Sequence, residues 1–461
     1  MSNIKGKLKF LQNKKICILG FGLENQALVK FLISQKIPCQ ITICDKRKKI
    51  KEAKLPIGSL ASLEFLKWDL GENYDRCLSG EGKNLDKFDI IFRSPGYPLY
   101  KLHKLLPLLN KERAGVRLSS PMKLFFELCP TKNVIGVTGT KGKGTTASLI
   151  NHILKLAGKK TWLGGNIGIA PFSFFDKIKK NDWVILELSS FQLEDMDISP
   201  KIAVITNFLK EHTAPADPNN PNYHKSLSNY WKAKSNIFKW QKKNDYLIIN
   251  KNLKKKFQNS SLRKKIIYFT KSELPNKLIS DYNKENVAAA VEVAKLLNVK
   301  QNTIKKAVSS FKGLEHRLEY ITTINKVKYF NNSMATTPDS TMADLKSFSE
   351  PIILIAGGAD KGANFKQLAR IIKKKVKFVI LLKGQATPKI KKELIKIKYP
   401  PNKIKLAFSM EEAVKISKKQ SSPEDIVLLS PACASFGLFI NYKDRGEIFK
   451  REVIKYYKST N

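Results

Sequence analysis

The sequence predicts an α/β chain of three domains: an N-terminal Rossmann-like domain, a central P-loop ATPase-like domain with a mostly parallel sheet, and a C-terminal Rossmann-like domain. Length is the first reason, since 461 residues exceed what one core fills and suit about three domains. The second is a recurring strand signal. Short runs rich in β-branched residues occur at KICILG (15–20), ITIC (41–44), DIIF (89–92), VIGVTG (134–139), WVILEL (183–188) and IAVITN (202–207). Others follow at YLII (246–249), IIYF (266–269), PIILIAGG (351–358), FVILL (378–382) and DIVLLS (425–430). The third is that amphipathic segments lie between many of these runs, and such alternation builds parallel sheets. Parallel strands are covered on both faces, so they read as continuous apolar runs.

Three blocks divide the chain. Residues 1–120 end at Ser119-Ser120-Pro121, residues 121–313 hold a glycine-rich loop, and residues 314–461 begin at the EHRLEY segment. The stretch Thr213–Tyr223, rich in Pro and Asn, reads as an irregular loop. Hydrophobic residues make up 42%, enough for real cores. Six cysteines are scattered without a CxxC pair or a neighbouring His cluster, which argues against structural zinc and a disulfide framework and fits a reducing cytoplasm. The N-terminal segment has no apolar h-region and no apolar run approaches ~18 residues, so the expectation is a cytoplasmic protein without membrane insertion. The net charge of +45 comes mostly from lysines spread through every segment. Runs such as Lys254–Lys256 and Lys373–Lys375 are short and lack interleaved aromatics, so a lysine-rich surface is favoured over a dedicated nucleic-acid site. Its positive field would help gather anionic small-molecule substrates.

The strongest chemical signal is VIGVTGTKGKGTTASLI (134–150). A buried strand runs into Gly139, Thr140, Lys141, Gly142, Lys143, Gly144 and Thr145, and then into a helix. Glycines let backbone N–H groups turn toward phosphate oxygens, and the helix N-terminus adds positive potential. In this loop Lys143 would reach the β- and γ-phosphates of ATP, and Thr145 would sit near Mg²⁺. Val137 and Gly144 depart from the strict P-loop pattern. Glu187 ends a buried strand, where a carboxylate is the expected second anchor for Mg²⁺. Near the N-terminus, Gly20-Phe21-Gly22 is half of a dinucleotide fingerprint and leaves a plain tight turn open; Asp45 ends the next strand, where a Rossmann acid binds a ribose.

With the loop GVTGTKGKGTT, the segments GGNIG (164–168), LELSSFQLE (186–194), GLEHRLE (313–319) and LLSPACASFGLF (428–439) stand in an order that resembles the Mur ligases over nearly the whole chain. Two of them, LELSSFQLE and LLSPACASFGLF, resemble the glutamate-adding branch. The resemblance implies a UDP-binding first domain, a glutamate-binding third domain, and an ATP-dependent ligase joining the alanine carboxylate of UDP-N-acetylmuramoyl-L-alanine to D-glutamate through an acyl phosphate, as a monomer. It implies that His212 helps hold a second Mg²⁺ and that Lys234 is carbamylated and binds metal with Thr145 and Glu187. Asn283, Arg317 and Asn332 match nucleotide contacts. Gly22, Leu23, Asp45, Arg47, Ser94, Gly96, Asn166 and Ser189 match the UDP-substrate site. Thr336, Lys361, Ser435 and Tyr442 match residues that hold glutamate. Three departures stand out: Glu24 where some members have Thr or Ser at a diphosphate contact, Asn332 for Asp, and Met334 for Lys. The last two keep L-glutamate or another amino acid open as acceptor. A non-catalytic, basic nucleotide-binding protein is the reading from another class, and the joint presence of Lys143, Glu187, His212 and Lys234 argues against it.

Overall fold

The computed structural model describes residues 2–48, 66–72, 74–75, 88–102, 116–211, 222–257, 265–276, 278, 282–360 and 362–458. The chain forms two compact units, one of Met1–Leu274 with Glu285–Val308, the other of Pro275–Lys284 with Ser309–Asn461.

The first unit carries two parallel sheets. One contains β1 (Lys15–Leu19), β2 (Gln40–Asp45), β3 (Leu66–Leu70), β4 (Ile90–Arg93) and β5 (Arg117–Ser119) in the order β3-β2-β1-β4-β5. Strand order reverses between β1 and β4, and such a reversal opens a crevice outside the carboxyl ends of the two strands. Gly20 leaves β1 and Ser94 leaves β4 at this crevice, and a Cβ on Gly20 would come within 2.9 Å of the Ser94 Cβ. The other sheet contains β6 (Val134–Thr138), β7 (Thr161–Gly165), β8 (Trp183–Glu187), β9 (Ile202–Ile205), β10 (Tyr246–Asn250) and β11 (Lys265–Phe269), ordered β11-β10-β9-β6-β8-β7. β6 lies between β8 and β9, so the loop that follows it emerges near the centre of the sheet. The two sheets share one apolar core, in which Phe31 and Phe125 pack on Phe172 and Phe175. That shared core joins block 1–120 and most of block 121–313 in one compact unit, while residues 275–284 and 309–313 go with the second.

The second unit has one mixed sheet of β12 (Glu319–Ile324), β13 (Val327–Asn331), β14 (Ile352–Ala356), β15 (Val376–Leu382), β16 (Ile404–Ala407) and β17 (Ile426–Leu429), ordered β12-β13-β17-β14-β15-β16. Only the β12–β13 hairpin is antiparallel. Its two faces bury separate apolar clusters, one under Phe330, Leu354 and Leu381, the other under Tyr329, Ile355 and Phe449.

Every strand expected from the apolar runs is present. β3, β5, β7, β12, β13 and β16 are additional, and all but β13 lie at a sheet edge. Edge strands are half-covered, so β3 (LKWDL) and β16 (IKLA) mix polar and apolar residues and lose the continuous signature. Of the Thr213–Tyr223 loop only Asn222 and Tyr223 lie within the described residues, and neither is in a helix or strand.

Candidate active site

The glycine-rich loop joins β6 to the helix Lys143–Leu156. Gly142 caps this helix at φ 82°, and a Cβ there would lie 2.0 Å from the Asn286 Oδ1, so the position demands glycine twice over. The strand-end segment Thr206–Leu209 holds the loop from the other side. The Thr140 amide donates to the Asn207 carbonyl at 3.1 Å, the Lys141 amide to Asn207 Oδ1 at 2.9 Å, and Thr206 Oγ1 to the Lys141 carbonyl at 2.6 Å. Lys143 Nζ donates to the Thr140 carbonyl at 3.0 Å, curled over its own loop. Thr145 is buried beneath Gly144, and Thr146 Oγ1 donates to Asn286 Oδ1 at 3.3 Å.

Lys234 comes from the helix Leu227–Lys239 and is 1% exposed. Its Nζ donates to the Gly139 carbonyl at 2.7 Å and to Thr138 Oγ1 at 3.4 Å, and lies 4.7 Å from the centre of the Tyr230 ring. Burial drives its ammonium well below the ordinary lysine range; Lys143 adds to this, while Glu211 and Glu187 oppose it. The amine at the base of the phosphate loop thus gives up its proton more readily than an ordinary lysine. Glu187, buried at the end of β8, accepts from Asn166 Nδ2 at 2.9 Å. Gly165, at φ 93°, allows the turn that brings Asn166 there. His212 lies outside the described residues.

At the crevice of the first sheet, Asp45 accepts from the Phe21 amide at 2.6 Å and from Arg47 Nε at 2.7 Å and Nη2 at 2.8 Å. Burial pushes this carboxyl up, but the Arg47 and Phe21 hydrogen bonds outweigh it and hold it below the usual range. A cavity of about 240 Å³ opens between the two strand ends, with Gly22, Leu23, Ser94, Asn166 and Gln192 in its wall. Gly96 donates to Ser94 Oγ at 3.2 Å. Ser189 is drawn into a reciprocal cap: its hydroxyl accepts from the Gln192 amide and its amide donates to Gln192 Oε1.

In the second unit, Arg317 stands between His316 (φ 61°) and Leu318 (φ 44°), and its guanidinium pairs with no described residue. Glu315, His316 and Glu447 have donor atoms within 4.8 Å of one another, but Lys450 Nζ already lies 3.5 Å from Glu315 and 3.1 Å from Glu447, so the cluster holds an internal cation. Asn332 is buried and donates to Asp344 Oδ2 at 2.6 Å, while Met334 is largely exposed. Ser435 is buried, and Thr336 and Tyr442 are half-buried. The Tyr442 carbonyl accepts from Ser333 Oγ at 2.7 Å. Asn283 is buried in the first turn of the helix Tyr282–Leu296. Lys361 lies outside the described residues.

Sequence reasoning missed two fully buried arginines. Arg445 donates to the Ser333 hydroxyl and carbonyl and to the Cys433 carbonyl, tying the turn after β13 to the loop that carries Ser435. Arg93 pairs with Asp195 at 3.3 Å and donates to the carbonyls of Tyr97 and Phe191, tying β4 to the turn after β8. It also missed Tyr230, which floors the Lys234 amine and lies 3.2 Å from Thr140 Oγ1.

The model of the Mur ligase middle domain matches residues 137–314, and that of the Mur ligase, glutamate ligase domain matches residues 316–433. A UDP-N-acetylmuramoylalanine–D-glutamate ligase of Acetivibrio thermocellus is 36% identical, the match covering 98% of this chain and 98% of the relative. One of Clostridium botulinum is also 36% identical, over 98% of this chain and 99% of the relative. Among solved structures, the UDP-N-acetylmuramate–alanine ligase of Thermotoga maritima aligns with a TM-score of 0.54 at 15% identity, covering 97% of this chain and all of that one. A pseudomurein peptide ligase of Methanothermus fervidus aligns at 0.52 with 17% identity, over 96% of this chain and all of that one. At these identities the structural likeness is one of fold.

Proposed function

From the premise that the chain belongs to the Mur ligase family, we infer that it is the ATP-dependent ligase that forms an amide between the alanine carboxylate of UDP-N-acetylmuramoyl-L-alanine and the amino group of D-glutamate, in peptidoglycan precursor synthesis. The observation that carries this reading is end-to-end identity to ligases of that specificity, 36% over 98% of the chain. It favours D-glutamate over the other acceptors that Asn332 and Met334 keep open.

The proposed division of labour gives residues 1–120 the sugar nucleotide, 121–313 the ATP and 314–461 the amino acid. Gly139–Thr145 cradle the phosphates with backbone N–H groups. Lys143, released from the Thr140 carbonyl, moves onto the β/γ-phosphate oxygens and offsets charge on the transferring group. Asn283, Arg317 and Asn332 complete the nucleotide contacts. Thr336, Lys361, Ser435 and the backbone at Tyr442 hold glutamate, so that its amino group meets the acyl carbon. Asp45, Arg47, Ser94, Gly96, Asn166 and Ser189, with the Gly22-Leu23 turn, receive the UDP-sugar. The alanine carboxylate attacks the γ-phosphorus and ADP leaves; the glutamate nitrogen then attacks the acyl carbon, phosphate leaves and the nitrogen gives up a proton. Catalysis here is mainly positioning and electrostatics.

The donors at the loop suit Mg²⁺, a hard cation that takes oxygen ligands. Glu187 presents a buried carboxylate and Thr145 a buried hydroxyl, and His212 belongs to a second site. A bound Mg²⁺ supplies charge neutralisation for the phosphoryl group. The Lys234 amine, whose proton burial makes easier to lose, is suited to attack CO₂. A C–N bond forms, the amine gives up a proton, and an anionic carbamate with two oxygen donors replaces the amine. The protein works as a monomer in the cytoplasm; among the described residues no helix is long and apolar enough to cross a membrane.

ADP release, measured with Mg²⁺, ATP and UDP-N-acetylmuramoyl-L-alanine, tests the reading. Release is expected with D-glutamate and not with L-glutamate, and is expected to fall in CO₂-free buffer and return with bicarbonate. Release with L-glutamate alone would move the acceptor. Silence with both would remove the assigned substrates, and indifference to CO₂ would remove the carbamate.

A further inference from the structure

We propose that Glu24 binds the sugar nucleotide as a neutral carboxylic acid, donating its proton to the substrate's diphosphate in the crevice between β1 and β4; this rests on the sugar-nucleotide reading of that crevice. Glu24 is the second residue of the twelve-residue helix Leu23–Ser34, and it lines the cavity of about 240 Å³ described above. A diphosphate suits the amides of that first turn. The described wall of the cavity nevertheless contains no Lys or Arg, in a chain that carries 84 of them. An ionised Glu24 would leave the anion facing a like charge with no cation beside it.

The surroundings of Glu24 decide its state. Its Oε1 accepts from Gln192 Nε2, and its Oε2 is enclosed without a hydrogen-bond partner. The charged groups that face it are Arg93 from β4 and Asp195 from the turn after β8. Glu194 joins the same cluster, 4.0 Å from Arg93. Its own first turn offers no other charge, since Leu23, Asn25 and Gln26 are neutral. Three carboxyls therefore share one guanidinium, with the His224 ring 3.7 Å from Glu194, and Arg93 is committed to Asp195 and to two carbonyls. Glu24 has no cation of its own, and burial pushes its carboxyl up to about 7. With Oε1 accepting, the proton resides on Oε2, the atom without a partner; that oxygen is shielded from solvent in the ligand-free crevice, so the proposed contact requires the carboxyl to turn toward the cavity. An acid at a diphosphate contact thus becomes a hydrogen-bond donor, the role a hydroxyl fills in some relatives.

The test is the affinity of the full-length chain for UDP-N-acetylmuramoyl-L-alanine, measured calorimetrically without ATP from about pH 6 to about pH 8.5. The diphosphate of a UDP-sugar does not ionise in that range, so any slope belongs to the protein. Affinity is expected to be flat on the acid side and to weaken about tenfold per pH unit above the Glu24 midpoint. Glu24→Gln keeps a donor and cannot ionise, so it should bind at pH 6 within about threefold of the parent and lose the slope, while Glu24→Ala should bind weakly throughout. A slope retained in Glu24→Gln would assign it to a neighbour such as Glu194 or His224 and overturn the proposal. So would loss of pH 6 binding in a Glu24→Gln protein that still melts cooperatively. Absence of binding by the parent at every pH would instead overturn the sugar-nucleotide reading of the crevice.

Discussion

Asn332 and Asp344 form a buried pair in which the amide donates at 2.6 Å, and Asp344 also accepts from Ser430 Oγ at 2.6 Å. Asn332 stands where the family pattern has a carboxylate, and here the carboxylate lies on the partner instead. Asn332→Asp would press two buried carboxyls together and force one to hold a proton, at a cost of about 1–3 kcal/mol. Exchanging both residues, Asn332→Asp with Asp344→Asn, restores donor and acceptor and should recover most of that loss. Denaturant midpoints of the three variants check this; a stable single variant would break the argument. Lys143 and Glu187 were singled out in the sequence because each sits in a local pattern that implies a task, whereas Lys234 was singled out only through the family resemblance. Asp344, Arg93 and Arg445 were not. Arg445 finds Ser333 across 112 residues and Arg93 finds Asp195 across 102, and no local pattern distinguishes a buried arginine from the many exposed cations around it.

At the level of the element, the phosphate loop is built by two partners that close on it. Gly142→Ala would meet both a left-handed φ and the Asn286 side chain. The strain is on the order of 1–3 kcal/mol, with displacement of the loop on top. The KM for ATP in the ADP-release assay is expected to rise at least about tenfold. Gly158→Ala is the control, since that residue is also left-handed but has open space around it. It should cost about 1 kcal/mol in thermal unfolding and leave the KM unchanged. A shared outcome for the two variants would mean that backbone strain alone matters. Central strands such as β6 and β14 were legible because both faces are apolar, whereas of the edge strands only β11 (IIYF) carried a readable apolar run. β12 and β13 escaped for a related reason: as an antiparallel hairpin at the rim they interleave Thr and Lys with apolar residues, so neither reads as a continuous apolar run.

Across the whole molecule, proton binding links the crevice to stability. Burial lifts both Glu24 and Glu194 from 4.5 to about 7. Each holds a proton in the folded state that the unfolded chain has released, so each lowers stability as pH rises between those values. For Glu24 the loss is at most about 3 kcal/mol; Glu194, whose side chain is partly exposed, contributes less. Asp45 acts in the opposite sense, because its lowered carboxyl stabilises the fold above the ordinary aspartate range and ceases to do so in acid. These two glutamates therefore make the thermal midpoint fall from about pH 5 to about pH 7, while the lowered Lys234 ammonium works in the opposite sense, since the unfolded lysine keeps a proton that the buried amine loses more readily. Glu24→Gln should flatten that fall, as melting curves across pH would show; an unchanged slope would place the protons elsewhere.

The pairing of β6 also sets an order of events during synthesis. β6 comes early in its sheet, yet both of its neighbours, β8 and β9, are made later. The hydrogen bond that fixes the phosphate loop, from Thr206 to Lys141, spans 65 residues. A nascent chain that has just released the glycine-rich segment from the ribosome has nothing to hold it in shape. The loop is held on one side only after Thr206–Leu209 has emerged and on the other only after Asn286 has, 140 residues beyond Thr146, so ATP can act as a late clamp on the growing domain but not as a template for its first strands.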